Sequence, residues 1–341
     1  MLTTTFIEQI LATIPHKSVG LLGDLFLDRY LDIDPARDET SIETGKTAFQ
    51  VTGVRNYPGA LGTVLNNLSA LGVGTIRPVT LIGDDGEGYE LQRALRANPA
   101  VKMDGILSAP DRRTPTYTKP MYGTEELNRL DIKNRTPTPA EEETRIITKL
   151  KEHWNQVDAW IVLDQVSEVD CGVVTGSVRD QLTELSQRDP AKFVLADSRE
   201  RIGLFRNVAV KPNLRECLTS IHRTFPMTPS LSPFMHPARV LAERIDGIVF
   251  CTEGGDGIQL CSGRAPEQRI TVSANPVSGP IDVCGAGDSC SAGITCAMMA
   301  GATPEQAAAF GNLVASITIQ QIGVTGTATP EQVRARWKEI R

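Results

Sequence analysis

The stretch Asp282-Val283-Cys284-Gly285-Ala286-Gly287-Asp288-Ser289 holds residue types that could move a phosphoryl group. Gly285 and Gly287 permit a tight turn with successive exposed backbone N–H groups, and the run Ser289 to Met299 behind them predicts a helix. Open N–H groups and the positive end of a helix make an anion site. Asp288 stands where it would repel that anion, so its presence needs a reason. A general base, taking the proton from a hydroxyl that attacks a phosphoryl group, supplies one. A helix-capping Asp supplies another. Asn213 and Glu216 lie three apart at a predicted helix start, hence on one face.

These residues need a frame. Short apolar runs ending in a polar residue recur at Ser18–Asp24, Trp160–Asp164, Phe193–Asp197 and Ile248–Thr252, separated by helical stretches such as Thr175 to Arg188. That rhythm predicts βα units and a parallel sheet, with ligands at the carboxyl ends of the strands. Phe6, Ile7, Ile10, Leu11 and Ile14 predict a helix stopped by Pro15. Residues 32–57 and 114–132 break the rhythm with period-two fragments. They read as a small flap of antiparallel strands in preference to two surface loops, because long structureless loops are uncommon. Residues 224–237, with four prolines, read as a loop before a helix.

Composition narrows the partner. The chain has 341 residues, enough for two ordinary domains or one large α/β domain. Lys and Arg number 35 against 41 Asp and Glu, a net charge of -6, without the basic footprint of a nucleic-acid binder or a membrane-surface protein. No run approaches the about 18 apolar residues of a membrane span. Glu8 interrupts the N-terminal apolar stretch, against a signal peptide. Seven scattered cysteines fit a reducing cytoplasm. The four dispersed histidines suggest no metal site. The expected partner is a small molecule.

Asp282 to Gly293 closely resembles the C-terminal signature of the ribokinase-like carbohydrate kinases, the PfkB family, written Asp-Thr-x-Gly-Ala-Gly-Asp with Ala-Gly shortly after. Further elements follow in the family's order. Asn213-Leu214-Arg215-Glu216 is similar to its Asn-x-x-Glu motif, Thr252 to Gly257 to its Thr-x-Gly-x-x-Gly turn, Gly23 to Asp28 to its sugar-holding strand-loop, and Pro58 to Val64 to its Gly-Gly-Ala-x-Asn-Val element. Gly-Asp-x-x-x-Asp-Arg-Tyr and Thr114 to Asp131 look most like the heptose-phosphate kinases. Departures are Val283 for the signature Thr, Gly59-Ala60 for Gly-Gly and Thr63 for Asn. Asp164-Gln165-Val166-Ser167-Glu168 also lacks the aromatic and the base of the heptose kinases.

The resemblance implies an α/β, ribokinase-like three-layer α/β/α fold with a mostly parallel central sheet and a small β lid. Residues 1–341 would be one kinase domain, with lid segments 32–57 and 114–132. It implies ATP-dependent phosphorylation of a hydroxyl on a sugar or sugar phosphate, with ATP and Mg2+, and with K+ and a homodimer through the lid as options. Alternatives on the same fold are a catalytically silent nucleotide- or sugar-binding regulator and a nucleoside kinase. A Rossmann dehydrogenase is disfavoured, since no Gly-x-Gly-x-x-Gly follows the first strand.

For the residues, the resemblance implies Asp288 as base and the backbone of Gly285, Ala286 and Gly287 as anion hole. Asp28 would hold sugar hydroxyls, helped by Gly59 and Thr63, with Asp24 either assisting or capping its strand. Asn213, Glu216, Thr252, Gly254 and Gly257 would serve ATP, Glu216 acting on Mg2+ through water. Asn312 either faces the adenine or is a buried Asn bonded to backbone. Asp282 could hold a monovalent cation with carbonyls around Ile319 to Thr325. Lys119 and Arg129 either close over an anionic sugar phosphate or, by default, are simply solvated.

Overall fold

The computed structural model describes residues 2–224, 236–265 and 269–341. Its main sheet runs, edge to edge, Arg269–Val272, Ile258–Ser262, Ile248–Thr252, Ala209–Val210, Phe193–Ser198, Ala159–Asp164, Ser18–Gly23, Thr75–Gly83 and Ile106–Ala109. Pairing is parallel from Ile248–Thr252 to the Ile106–Ala109 edge, and the other two strands add antiparallel. The interior strands are apolar on both faces because both faces are covered. Along Ser18–Gly23, Leu21 packs with Ile10, Leu68, Ile294 and Phe310 on one side. Its neighbour Leu22 packs with Ile146, Leu182, Ile221 and Leu241 on the other. Thr4–Thr13, Leu61–Leu71, Ala286–Met299 and Pro304–Thr318 supply the first layer. Ala140–Trp154, Gly176–Arg188, Leu214–Thr224 and Pro237–Ile245 supply the second. This is the three-layer α/β/α arrangement.

The expected first helix is Thr4–Thr13, and Ile14–His16 tightens to a 3-10 turn at Pro15. Most of the Pro-rich excursion, residues 225–235, lies outside the described residues; Pro237 opens a helix capped by His236.

A second sheet stands off the carboxyl ends of the first, in the order Leu130–Ile132, Thr116–Tyr122, Leu25–Ile33, Val51–Ala60. Glu125–Glu126 folds back on Thr116–Tyr122. The sheet is mixed, because Thr116–Tyr122 runs parallel to Leu25–Ile33 while its other pairs are antiparallel. Its longest-paired strand, Leu25–Ile33, lies mostly ahead of residues 32–57 and begins two residues after the main-sheet strand ends at Gly23, with Asp24 alone between them. Leu25, Phe26 and Leu27 are buried, since the base of this sheet stays in the core, and so they resemble core residues more than flap residues. Within residues 34–50 the regular pairing is the two-residue ladder of Glu39–Thr40 with Thr47–Ala48.

Candidate active site

The turn before Ala286–Met299 is set by one glycine. Gly285 has φ 77°, and a Cβ there would meet Thr325 Cγ2 at 2.4 Å. Asp282 fixes the turn from below, accepting Cys284 N–H at 3.0 Å and Gly323 N–H at 3.1 Å while its own N–H donates to Ile319 O. Asp282 thus lies beside the 319–325 segment, with both carboxylate oxygens engaged by backbone. The anion-hole expectation needs one correction. Ala286 N–H donates to Val283 O at 3.1 Å, because the tight turn folds it inward. Among the described residues the N–H groups of Gly285 and Gly287, like that of Asp288, have no backbone acceptor, which leaves them open as donors.

Asp288 sits in the first turn of that helix. Burial pushes its carboxyl up to about 7, and the nearby Asp197 carboxylate adds to the rise, against the pull of Lys211 and Arg199. Sequence reasoning assigned none of these three a role. Asp197 ends the strand Phe193–Ser198, and the buried Lys211 reaches it at 2.9 Å. A Cβ on Gly287 would lie 3.4 Å from Lys211 Nζ, so the ammonium lies directly beneath the anion loop. The available signal was charge inside an apolar run: Val208-Ala209-Val210-Lys211-Pro212 places a lysine where a buried strand ends.

Asn213 and Glu216 lock each other. Glu216 N–H donates to Asn213 Oδ1 and Asn213 N–H to Glu216 Oε2, both at 2.8 Å, a reciprocal cap on Leu214–Thr224. A backbone bridge pairs Asn213 with Thr252. Burial and Asp197 raise the Glu216 carboxyl, opposed by the Asn213 N–H, Lys211 and Arg199. A half-buried carboxylate whose charge is disfavoured, beside an amide, suits a hydrated divalent cation, which would remove that penalty.

Thr252, Gly254, Gly257 and Asn312 line one cleft of about 590 Å³ together with Ala286 and Gly287. Its walls include Ile281 and Val283, which are 51% and 68% exposed, apolar surface of the kind a flat base covers. Asn312 resolves toward the bonded-Asn alternative: its amide donates to Val272 O at 3.0 Å and Ser273 O at 3.1 Å.

Across from the loop, Asp28 projects from the second sheet. A Cβ on Gly59 would come 2.4 Å from Asp28 Oδ2, so Gly59 is where that carboxylate rests. Burial raises the Asp28 carboxyl, against the charges of Lys119 and Arg129. Lys119 donates to Tyr30 OH at 3.0 Å and Arg129 grips Asp131 with two bonds at 2.7 and 2.9 Å, so Arg129 is already neutralised. The Cys284 thiol feels Lys119, Asp28 and Asp288, which brings the second sheet and the anion loop to one cleft. Thr63 is buried, its methyl 3.3 Å from where a Gly285 Cβ would lie, a packing contact under the loop. Asp24 departs from the substrate expectation. Its oxygens accept the N–H groups of Gln165, Val166 and Val173 at 2.9, 3.2 and 2.7 Å, clamping the 164–173 loop.

The site therefore presents a carboxyl poised near neutrality, two open N–H donors with a cation beneath, an adjoining cleft with apolar walls, and a second carboxylate opposite. Comparison with known proteins places the chain in a family. The chain is 25% identical over 323 residues to the bifunctional protein HldE of Gluconobacter oxydans, covering 94% of this chain and 65% of that protein. It thus spans about two thirds of that relative's length. A ribokinase of Thermotoga maritima superimposes with a TM-score of 0.67 at 18% identity, over 94% of this chain and 99% of that one. A ribokinase of Arabidopsis thaliana, solved with ribose and ATP, gives 0.66 at 17% identity over 94% and 99%. The fold is ribokinase-like. The model of the pfkB family of carbohydrate kinases matches residues 26–332, and the chain belongs to that family.

Proposed function

We propose that the chain transfers the γ-phosphoryl group of ATP to a hydroxyl of a sugar or sugar phosphate, as one kinase unit whose second sheet acts as a lid. The observation that carries this reading is Asp288, a carboxyl raised to about 7 beside two open N–H donors. A base with a pKa near the working pH takes a proton efficiently and still exists in its charged form. Asp28, seated on Gly59, orients the acceptor hydroxyls. As Asp288 removes the hydroxyl proton, the oxygen attacks in line, and the Gly285 and Gly287 N–H groups meet the charge developing on the transferred group. Lys211 adds positive field from beneath. The nucleotide occupies the cleft of Thr252, Gly254, Gly257 and Asn312. Mg2+ would be held through water by Glu216, positioned by Asn213, and supplies charge neutralisation on the phosphates. A monovalent cation, if used, would tighten the junction that Asp282 makes between its two loops.

Retention of Asp288, Asn213 and Glu216 in working geometry favours an active kinase over a silent regulator. The lid exposes Val54 and Tyr57, 57% and 47% accessible, which supports a homodimer through this sheet. The test is ADP release against a panel of sugars and sugar phosphates. Asp288→Asn should lower turnover by about 10²–10⁴-fold with ATP affinity retained. Wild-type turnover in that variant removes Asp288 from the mechanism.

A further inference from the structure

A second cleft opens where the base of the lid meets the main sheet, lined in part by Arg112, Tyr117, Lys133, Gln165, Glu168 and Arg199. It adjoins the acceptor site, because Tyr117 is the register partner of Asp28 in the lid. Three cations converge on it. Arg112 is buried and anchored, donating to Cys171 O at 2.6 Å. Lys133 and Arg199 are different. Lys133 Nζ lies 5.8 Å over the Tyr117 ring, and neither side chain makes a hydrogen bond or ion pair among the described residues. Arg199 is exposed just beyond the strand that ends in Asp197 and Ser198. Its charge reaches Asp288 and Tyr117 alike, so it stands between the reacting group and this cleft.

The acids lining the cleft do not cancel these charges. Asp24 is held by three backbone N–H groups. Glu168 lies 3.8 Å from Arg135 through one oxygen, and its other oxygen is buried without a partner. An orphan carboxylate oxygen accepts a hydroxyl, whereas two unpaired cations accept an anion. One ligand with both groups would satisfy all three.

Resting on the kinase reading above, we propose that this cleft is a second acceptor subsite. It holds an anionic group, a phosphate or a carboxylate, on the part of the acceptor remote from the hydroxyl that Asp288 deprotonates. Lys133 and Arg199 bind the anion and Glu168 takes a neighbouring hydroxyl. The acceptor is accordingly an acidic polyol, and a neutral sugar leaves both cations unanswered.

The proposal is tested by binding before turnover. With a non-hydrolysable ATP analogue and Mg2+ filling the nucleotide cleft, inorganic phosphate and gluconate are titrated calorimetrically into wild type, Lys133→Ala, Arg199→Ala and the double variant. Both side chains lie at the cleft surface, so neither substitution hollows the core, and the buried Arg112 is left in place. Each single substitution should weaken the preferred anion by about 10- to 150-fold. Preference for phosphate identifies a phosphorylated acceptor, and preference for gluconate a sugar acid. In the kinase assay, Lys133→Ala should raise the acceptor KM by a similar factor and leave the KM for ATP in place. Anion binding lost in the variants, without turnover of any acceptor by wild type, supports the subsite and removes the kinase reading. Neither anion binding to wild type, or equal affinity in the double variant, overturns the proposal.

Discussion

Replacing Asp197 by Asn tests what sets the protonation of Asp288. Asp197 raises the Asp288 carboxyl, and Lys211, 2.9 Å from Asp197, opposes it. As seen from the base the two charges act in opposite directions, the carboxylate having the larger effect. Asp197→Asn removes the repelling carboxylate while the Lys211 ammonium stays, so the net field favours charged Asp288. A charge within ~4–6 Å shifts a carboxyl by 1–3 units, and a fall of about 1 unit from about 7 is expected. On the proposed general-base role Asp288 acts deprotonated, so the acidic limb of kcat/KM should move to lower pH and activity below neutrality should rise relative to the plateau. Lys211→Met leaves Asp197 facing Asp288 and should move the limb the other way. Each single change also isolates a buried charge, at a cost of about 3–5 kcal/mol. Water relieves little of that, because the Lys211 and Asp197 side chains are only 4% and 10% exposed. The double variant Asp197→Asn/Lys211→Met should recover most of the lost stability. The assays are pH–rate profiles of kcat/KM and thermal melts on all three variants. A limb that stays fixed in both single variants refutes the reasoning, because the pair then does not control the titrating group.

Glu216→Ala should raise the Mg2+ concentration for half-maximal rate, whereas Glu216→Gln, which can still accept the Asn213 N–H, should lose the metal effect's charge but keep the helix cap. Superimposable Mg2+ titrations for both variants would detach Glu216 from the metal. Gly59→Ala should displace Asp28, whose Oδ2 would lie 2.4 Å from the new methyl, and raise the acceptor KM by about 10²-fold with little change in the KM for ATP. An unchanged acceptor KM would show that Asp28 does not position the substrate. Asp288→Asn should stabilise the fold above neutrality by up to about 4 kcal/mol, since it removes a carboxylate whose charging the fold disfavours. The sign follows from the raised value: the folded state favours the protonated acid, so wild-type stability falls as pH rises from about 4 through about 7. The stability difference between wild type and variant should therefore vanish below about pH 4, and equal melting temperatures at every pH would contradict it.

How far the site is legible in the sequence depends on how locally each feature is built. The anion turn is legible because its chemistry lies in a backbone that only certain residues permit, as the φ of 77° at Gly285 shows. Asn213 and Glu216 are legible because three-residue spacing at a helix start brings them together without help from the rest of the fold. Ala286 misled because a one-residue difference within a turn reverses the direction of an N–H, which spacing does not encode. The sequence alone does not separate two roles for Asp24, because its partners, Gln165, Val166 and Val173, come from a distant loop. The Lys211–Asp197 pair is the clearest case. Its members meet because Leu195 pairs with Ala209 and Ala196 with Val210, so the next residue of each strand lies beside the other. Register decides that meeting, and register is a property of two strands together. The same holds for the lid, whose first strand begins with Leu25-Phe26-Leu27 and is signed as core because its base is core. A sequence shows those features of such a site that a single segment can make alone. The charges that tune it are assembled between segments, so a buried strand that ends in an unexplained Lys or Asp marks where a partner must be sought across the sheet.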